Sequence, residues 1–455
     1  MNMKLQSSAP LDPHFQPAIL FHRNYVERAK ASGKAARLAI GLEREAGRIS
    51  RYETVVLPEA DSESVRHVER IVKFLLWARG GWRLHFGGPR ALGEWIRSEY
   101  SPTGRRAFDV ELMSRVYERP FEVMLTDADR VPEQNESNAA IGGHLEGCRI
   151  GFDLGASDYK LAAVKNGEVV FSEEFPWNPK DQADPDYHYQ HLSAGLKAAA
   201  AHLPRVDAIG GSSAGVIVNN RIMVASLFRA VPATQFGRAK NLFLRIRDEW
   251  NVPVEVANDG DVTALAGAMS LKQNGLLGIA MGSSQAAGYL NPNGGMTGWL
   301  SELAFAPVDY NSSAAADEWS GDRGVGVLYF SQQAVNRLLP AAGIDLPMEM
   351  GLPERLVEVQ KLMSSDDSRA RQIYETIGVY LGYTIPLYAE FYEFRHLLIL
   401  GRVTTGPGGD IVLTKAREVL TAEFPGLAQS IALHVPDEKS RRVGQAVAAS
   451  SLPRT

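Results

Sequence analysis

The sequence has a single cysteine, Cys148, among 455 residues. One cysteine excludes an internal disulfide and a zinc site built from several thiolates. No run of about 18 apolar residues occurs, so we expect no membrane-spanning helix. The first residues lack the apolar segment of a secretory signal. Together with the shortage of cysteine, which suits a reducing compartment, this favours a cytoplasmic protein.

The chain also lacks an excess of charge of one sign. It carries 48 Lys and Arg residues against 53 Asp and Glu residues, and its formal net charge is −5. This balance argues against nucleic-acid binding driven by bulk charge, although a local basic patch is compatible with it. Hydrophobic residues make up 45% of the chain, enough for packed cores, and the length predicts two or three domains.

Residues 1–147 show a mixed pattern that predicts an N-terminal accessory α+β domain ending in a linker. Apolar alternation predicts strands, and apolar residues on one helical face predict an amphipathic helix. The predicted elements are a strand pair at 37–57, a helix at 63–81, strands at 82–88 and 121–127, and a polar linker at 127–147.

From Cys148 onward the sequence reads as two α/β halves with a similar beginning. Each half starts with an apolar strand, a turn of small polar residues and a second strand, and helices follow. The pattern predicts one lobe at 148–268, joined by a closing helix at 437–452, and a second lobe at 269–436. No shorter repeat is visible.

The two opening turns carry residues suited to binding an anion. Small residues let the backbone approach a ligand, and turn N–H groups form concave sites for anions. Neither turn matches a P-loop or the dinucleotide fingerprint, and each alone is more often structural. Their occurrence in both halves favours a nucleotide triphosphate and phosphoryl transfer. The residues are Asp153, Gly155, Ala156 and Ser157 in the first turn, and Gly282, Ser283 and Ser284 in the second.

A third feature lies between the turns, where the apolar segment VPVEVA meets Asn258 and Asp259 and a helix of small residues follows. The structural interpretation is a helix cap, because Asn and Asp side chains accept hydrogen bonds from the first turn of a helix. The functional interpretation is a catalytic carboxylate. This segment alone leaves both open.

With these motifs in order, residues from about 148 to 450 resemble the ROK family (repressor, open reading frame, kinase) of the actin/hexokinase superfamily. The resemblance implies a two-lobed actin/hexokinase-like (ribonuclease H-like) α/β fold, with mixed sheets flanked by helices, after an N-terminal α+β extension. The matching stretches are Asp153-Leu-Gly-Ala-Ser157, Asn258-Asp259, Gly282-Ser283-Ser284, Ser301-Glu-Leu-Ala-Phe305, the turn at Gly401 and the closing helix RRVGQAVAA.

The resemblance implies ATP-dependent phosphorylation of a sugar hydroxyl, with Asp259 as the general base. Asp153 would orient Mg²⁺ through water, since Mg²⁺ gives up its water ligands reluctantly. The sugar would contact Asn258, Glu302 and Gly215. The nucleotide would contact Asp153, Gly155, Ala156, Ser157, Lys160, Gly282, Ser283, Ser284 and Gly401.

The sequence departs from the family at several of these positions. The cysteines and histidine of the family's zinc site are replaced, so we expect no zinc, because Phe and Val supply no ligand. Val327 stands where the family has a sugar-binding glutamate, and Ser284 requires a negative φ. The departures support an alternative, a catalytically lapsed sugar- or nucleotide-binding sensor or regulator. The replaced zinc positions are Phe305, Glu318, Ser320 and Val325.

Repressors of the family carry an N-terminal DNA-binding domain, but residues 82–88 read as a strand where a recognition helix would be needed. DNA binding is therefore the least favoured interpretation. We expect the N-terminal region to cap the sugar site or to form a homodimer interface.

Overall fold

The computed structural model of the protein describes residues 5–136, 142–435 and 438–455. Part of the predicted linker, residues 137–141, and residue 437 of the predicted closing helix lie outside the described residues. No helix within the described residues is both long enough and apolar enough to cross a membrane.

The first part of the chain alternates helices with the strands of one sheet. Strand β1 is antiparallel to both β2 and β3, and β3 is parallel to β4, in the order β2-β1-β3-β4. The predicted strands and the long helix are confirmed, and so is the α+β character of this extension. The elements are α1 (Ala18–Ala31), β1 (Ala36–Glu43), β2 (Ile49–Val56), α2 (Ser62–Arg79), β3 (Arg83–Gly87), α3 (Arg90–Glu99), α4 (Ala107–Tyr117) and β4 (Glu122–Thr126).

The next part builds a five-stranded mixed sheet in the order β11-β8-β5-β6-β7. Strands β5, β8 and β11 are parallel, whereas β5, β6 and β7 form an antiparallel meander. The elements are β5 (Cys148–Leu154), β6 (Asp158–Lys165), β7 (Glu168–Pro176), α5 (Pro185–Ala200), β8 (Ala208–Ser213), β9 (Val216–Val218), β10 (Arg221–Val224), α6 (Phe236–Lys240), α7 (Leu242–Trp250), β11 (Val254–Asn258) and α8 (Asp259–Leu271).

The last part supplies a second mixed arrangement of strands and helices. Its four strands lie in the order β13-β12-β14-β15, with β14 parallel to β15. The elements are β12 (Leu276–Met281), β13 (Gln285–Leu290), α9 (Gln332–Leu338), α10 (Leu352–Ser364), α11 (Ser368–Ala389), β14 (His396–Leu400), α12 (Pro407–Glu423), α13 (Pro425–Ser430), β15 (Ala432–His434) and α14 (Glu438–Ser450).

Helix α14 packs directly on the centre of the five-stranded sheet, although it is distant in sequence. Gly151 on β5 and Gly210 on β8 make this possible, because a Cβ at either position would overlap a carbonyl group of the helix. The opposite face of the sheet packs on α5 and α7 through side chains such as Phe152, Leu192 and Phe243. Helices therefore cover both faces, as the buried strands β5 and β8 require.

Packing divides the chain into two compact units. Unit 1 contains residues 1–137, 279–287 and 298–435, and unit 2 contains residues 138–278, 288–297 and 436–455. The five-stranded sheet and α14 belong to unit 2. The N-terminal sheet belongs to unit 1. The division into domains at 147 and 268 stays a prediction.

Candidate active site

In unit 2, the neighbouring parallel strands β5 and β8 place Asp153 beside Ser212. The Ser212 hydroxyl donates a hydrogen bond of 2.6 Å to Oδ1 of Asp153. Asp153 is 8% exposed, so its carboxylate is largely withdrawn from water. The parallel pairing thus fixes a buried carboxylate near the C-terminal end of β5.

At the seam between β11 and α8, Asn258 is the helix cap. Its Oδ1 accepts a 2.7 Å hydrogen bond from the Gly260 amide, and its Nδ2 donates one of 2.7 Å to the Gly215 carbonyl. The structural interpretation of Asn258 therefore holds. The cap leaves Asp259 as the first residue of α8, with a partly exposed side chain whose Oδ1 accepts a 3.0 Å hydrogen bond from the Gly260 amide.

Helix α14 contributes Gln445 to this arrangement. Its Nε2 donates hydrogen bonds to the Ser212 hydroxyl at 3.3 Å and to the Asp259 carbonyl at 3.1 Å. Gln445 thereby links the strand that carries Ser212 to the start of α8. The sequence identified the closing helix but gave no signal for this side chain.

Asp153, Asp259 and Asp261 have raised pKa values. Burial raises the pKa of Asp153 to about 6, against the opposing hydrogen bond from Ser212, and the charge of Asp259 adds to the shift. Burial also raises the pKa of Asp259, which its hydrogen bonds lower. The pKa of Asp261 rises to about 7, again mainly through burial, with the Asp259 charge contributing. These groups would be stabilised as anions by a cation nearby.

The first small-residue turn lies next to the same strands. The Gly155 amide donates to the Asp158 carbonyl at 3.0 Å, and the Ser157 hydroxyl donates to Oδ2 of Asp158 at 2.9 Å. Lys160 Nζ lies 3.3 Å from Oδ1 of Asp158. Ala156 and Ser157 are exposed. The turn is thus open to solvent, but its nearest cation already faces a carboxylate.

In unit 1, the second small-residue turn and the Gly401 turn lie side by side. The Gly282 amide donates to the Ser284 carbonyl at 3.0 Å. Gly401 has φ 103°, and a Cβ there would lie 2.5 Å from the Met281 carbonyl oxygen, so only glycine fits. Ser284 does not have a positive φ, which meets the condition that the sequence set for a serine at this position. Ser283 and Ser284 are exposed.

Residues 301–305, which match the sugar-binding motif of the ROK family, are hydrogen-bonded to the C-terminal end of α2. The Ser301 and Glu302 amides donate to the carbonyls of Ala78 and Trp77, at 2.9 and 3.0 Å. The Glu302 side chain is partly exposed. The N-terminal extension therefore fixes the backbone on which Glu302 stands.

Phe305, at the family's histidine position, joins an aromatic cluster. Its ring centroid lies 4.4 Å from that of Trp77, 5.9 Å from Phe108 and 6.5 Å from Trp319. Two of these partners come from the N-terminal extension. An apolar side chain at this position is thus explained by packing within unit 1.

The residues at the positions of the family's zinc-binding cysteines are also unsuited to holding a zinc ion. Val325 is buried and has no donor atom, and the Ser320 hydroxyl donates to Oδ2 of Asp317 at 2.7 Å. In the described part of the chain, no three His, Cys, Asp or Glu side chains are grouped as a metal site. Val327, at the family's glutamate position, is 3% exposed and cannot hydrogen-bond a sugar through its side chain.

Instead of metal ligands, this segment carries a buried ionic network. Oδ1 and Oδ2 of Asp322 each accept a 2.9 Å hydrogen bond from Arg70, and Asp322 also pairs with Lys73 at 3.3 Å and Arg106 at 3.0 Å. These cations hold the pKa of Asp322 well below its usual range. Glu69 and Asp109 complete the network by pairing with Arg70 and Lys73. Three positive charges thus meet three negative ones, and the network ties the segment to the N-terminal extension.

Comparison with solved structures identifies the fold. A ROK hexokinase from Thermus thermophilus aligns with a TM-score of 0.52 and 16% identity, over 66% of this chain and 97% of that one. A ROK family transcriptional regulator, a homologue of the E. coli MLC protein, aligns with a TM-score of 0.53 and 19% identity, over 68% of this chain and 79% of that one. The fold is that of the ROK proteins.

The actin/hexokinase-like α/β fold expected from the sequence is therefore confirmed. No protein-family model and no curated protein matches the sequence. Because a hexokinase and a transcriptional regulator share this ROK fold, the fold does not by itself decide the activity. The activity has to be inferred from the side chains of the candidate site.

The predicted site residues are divided between the two units. Unit 2 holds the carboxylates and the first turn, and unit 1 holds the second turn, the Gly401 turn and the sugar-motif stretch. The unit 2 members are Asp153, Gly155, Ala156, Ser157, Lys160, Gly215, Asn258 and Asp259, and the unit 1 members are Gly282, Ser283, Ser284, Glu302 and Gly401. Sequence reasoning missed Ser212, Gln445 and Asp261, although Asp261 lies only two residues beyond Asp259.

Proposed function

We propose that this ROK-fold protein transfers the γ-phosphoryl group of ATP to a hydroxyl of a sugar or sugar-like molecule. The observation that carries the proposal is Asp259, a partly exposed carboxylate at a strand–helix seam. Burial raises its pKa towards the range in which a carboxylate works as a general base near neutral pH. The proposal places the enzyme in the cytoplasm, where ATP is available.

In this mechanism Asp259 accepts the proton of the substrate hydroxyl. The hydroxyl oxygen forms a bond to the γ-phosphorus, and the bond from that phosphorus to the β–γ bridging oxygen breaks. The Gly260 amide donates a hydrogen bond to one carboxylate oxygen of Asp259, and the Gln445 side chain donates one to the main-chain carbonyl of Asp259. These two bonds orient the base before substrate binds. Asn258 has one amide hydrogen beyond its bond to Gly215 and can offer it to a sugar hydroxyl.

Asp153 fits a role in holding Mg²⁺ through water. Its buried carboxylate has a raised pKa and lies in the field of Asp259, so a divalent cation would favour its ionised form. Mg²⁺ would shield the charge of the triphosphate. Ser212, bonded to Oδ1, fixes the orientation of the carboxylate.

In the proposal, exposed turns bind the phosphates. Backbone N–H groups of such turns can surround phosphate oxygens without a side chain in the way. Glu302 would bind the sugar, and the Gly401 turn would lie near the adenine. The phosphate-binding residues would be Gly155, Ala156, Ser157, Lys160, Gly282, Ser283 and Ser284.

A second candidate is a sugar- or nucleotide-binding sensor that has lost catalysis. Phe305 and Val327 remove two polar contacts at positions where the family binds the sugar. Asp158 adds a negative charge beside the first turn and faces Lys160. The two replacements weaken binding of a polyhydroxy substrate, and the charge of Asp158 weakens binding of a polyanionic nucleotide. None of these side chains prevents binding of another ligand.

A coupled ADP-release assay over a panel of sugars separates the two candidates. The kinase predicts turnover with at least one sugar, and a loss of turnover in Asp259→Asn. Asp248→Asn, an exposed carboxylate paired only with the neighbouring Arg247 among the described residues, is the matched control. Saturable sugar or nucleotide binding in calorimetry without turnover of any sugar would reject the kinase and support the sensor.

A further inference from the structure

Unit 1 contains a cavity with a volume of about 480 Å³, and Asp153, Asp259 and Asp261 are not among its lining residues. Its size lies within the range of roughly 300–1,000 Å³ that small-molecule pockets occupy. Its walls come from α2, from Trp95 of α3, from the residues around the start of α4, and from the loops at 309–312 and 320–323. All of these belong to unit 1.

The lining is rich in arginine. Five guanidinium groups and three carboxylates line the cavity, an excess of two positive charges. The arginines are Arg66, Arg70, Arg105, Arg106 and Arg323, and the acids are Glu69, Asp309 and Asp322.

The carboxylates are already engaged by other partners. Glu69 and Asp322 pair with Arg70 and Arg106. Oδ2 of Asp309 accepts a 2.6 Å hydrogen bond from the Tyr329 hydroxyl, and its Oδ1 accepts main-chain amides. Arg105 pairs with Glu99, outside the lining, at 2.7 Å. Among the described residues, Arg66 and Arg323 therefore remain without a paired carboxylate.

Within the described part of the chain, Arg66 is a lining arginine without an ionic or hydrogen-bonding partner. Among the described residues it forms no ion pair or hydrogen bond, and its guanidinium lies over the rings of Phe21 and Tyr310, at 5.2 and 5.7 Å. Partial burial lowers the pKa of this guanidinium. A ligand anion would restore the favourable interaction that burial has removed.

Arg106 supplies a second observation. It is 5% exposed, it lines the cavity, and its Nε has no hydrogen-bond partner among the described residues. Buried polar groups are usually paired, so an orphan N–H in an arginine-lined cavity indicates a missing acceptor.

We propose that this cavity binds a small phosphomonoester, a dianion of about the size of a sugar phosphate. Guanidinium groups match phosphate oxygens through paired N–H donors. The partly exposed Trp95 provides an apolar wall on which the uncharged part of such a molecule can pack, and the lining residues Asn311 and Ser312 offer polar contacts. This inference does not depend on Asp259 or on the proposed kinase activity.

Calorimetry on the full chain tests the proposal, with glucose 6-phosphate as the probe and with glucose, inorganic phosphate and citrate as comparisons. We expect saturable binding of glucose 6-phosphate with a Kd below about 1 mM, weakening as salt is raised, and no binding of glucose at this site. Binding of inorganic phosphate supports recognition of the phosphoryl group. Binding of citrate without either phosphate compound would overturn the phosphomonoester assignment.

Two variants locate the site. Arg66→Gln and Arg105→Gln should each raise the Kd of glucose 6-phosphate, by about tenfold or more for Arg66, because a charge-assisted contact is lost. Arg371→Gln, an exposed arginine on α11, should bind as the wild type does. Arg66 forms no ion pair with a carboxylate among the described residues, so the Arg66→Gln variant should fold. The midpoint of its thermal unfolding checks that it does. The proposal fails if no anion binds up to about 10 mM, or if both variants bind unchanged.

Discussion

Replacing Asp322 with asparagine tests whether the ionic network holds the N-terminal extension to the rest of unit 1. Asp322 is 7% exposed and contacts three cations, Arg70, Lys73 and Arg106. Asparagine keeps the shape but removes the charge. The network then has three buried positive charges and two negative ones.

The expected cost follows from that imbalance. Removing one partner of a buried ion pair typically destabilises a protein by about 3–5 kcal/mol, because the remaining charge is left uncompensated. An unfolding entropy of about 2.1 cal/mol/K per residue corresponds to roughly 1.7 °C per kcal/mol for a unit of about 280 residues, so the midpoint of thermal unfolding should fall by at least about 5 °C.

Circular dichroism melts at pH 7 measure this effect, and Asp127→Asn, with a side chain 78% exposed, is the matched control. Adding Arg106→Met to Asp322→Asn restores the balance, since Arg70 keeps Glu69 and Lys73 keeps Asp109. The double variant should therefore lose less stability than the two single variants summed. An Asp322→Asn midpoint equal to that of the control would refute the reasoning.

The same variant has a defined pH signature. The folded pKa of Asp322 is depressed, so its contribution is present above its unfolded pKa and is lost as pH falls from there towards the folded pKa. The stability gap between wild type and Asp322→Asn should narrow below about pH 4. A gap that widens on acidification would contradict the assigned direction.

Three further predictions concern the candidate site. Asp259→Asn should lower kcat with any active sugar by about 10²–10⁴, and near-normal turnover in the coupled assay would rule out its role as base. Because a base must be ionised and burial raises its pKa, kcat/KM should rise with pH through the pKa of Asp259, above its usual value near 3.8; a profile flat down to pH 4 would count against this. Gly401→Ala should destabilise unit 1 by about 1–3 kcal/mol, since φ is 103° and the Cβ would meet Met281. Gly426→Ala, with open space around the Cβ, is the control for its melting curve, and equal midpoints would contradict the packing argument.

Local patterns in the sequence were enough for much of the fold. Apolar alternation located the strand pair β1 and β2, and the amphipathic pattern located α2. The turn Asn166-Gly167 joins β6 to β7 with both residues at positive φ, as its composition indicates. The composition of residues 239–250 is also typical of a helix, and the structure divides this segment at Asn241, which separates α6 from α7. Such features depend on residues that are close in the sequence, so the sequence alone is enough to predict them.

The sequence by itself also determined which chemistry to consider, because Asp153, Asp259 and the two small-residue turns stand in the order of the ROK motifs. Only the tertiary structure placed Ser212 and Gln445 around those carboxylates, since β5, β8 and α14 meet through contacts between distant segments. It alone joined Arg70 to Asp322 across 252 positions and gathered arginines around one cavity. Burial and charge pairing arise from three-dimensional packing, and neither leaves a pattern between adjacent residues.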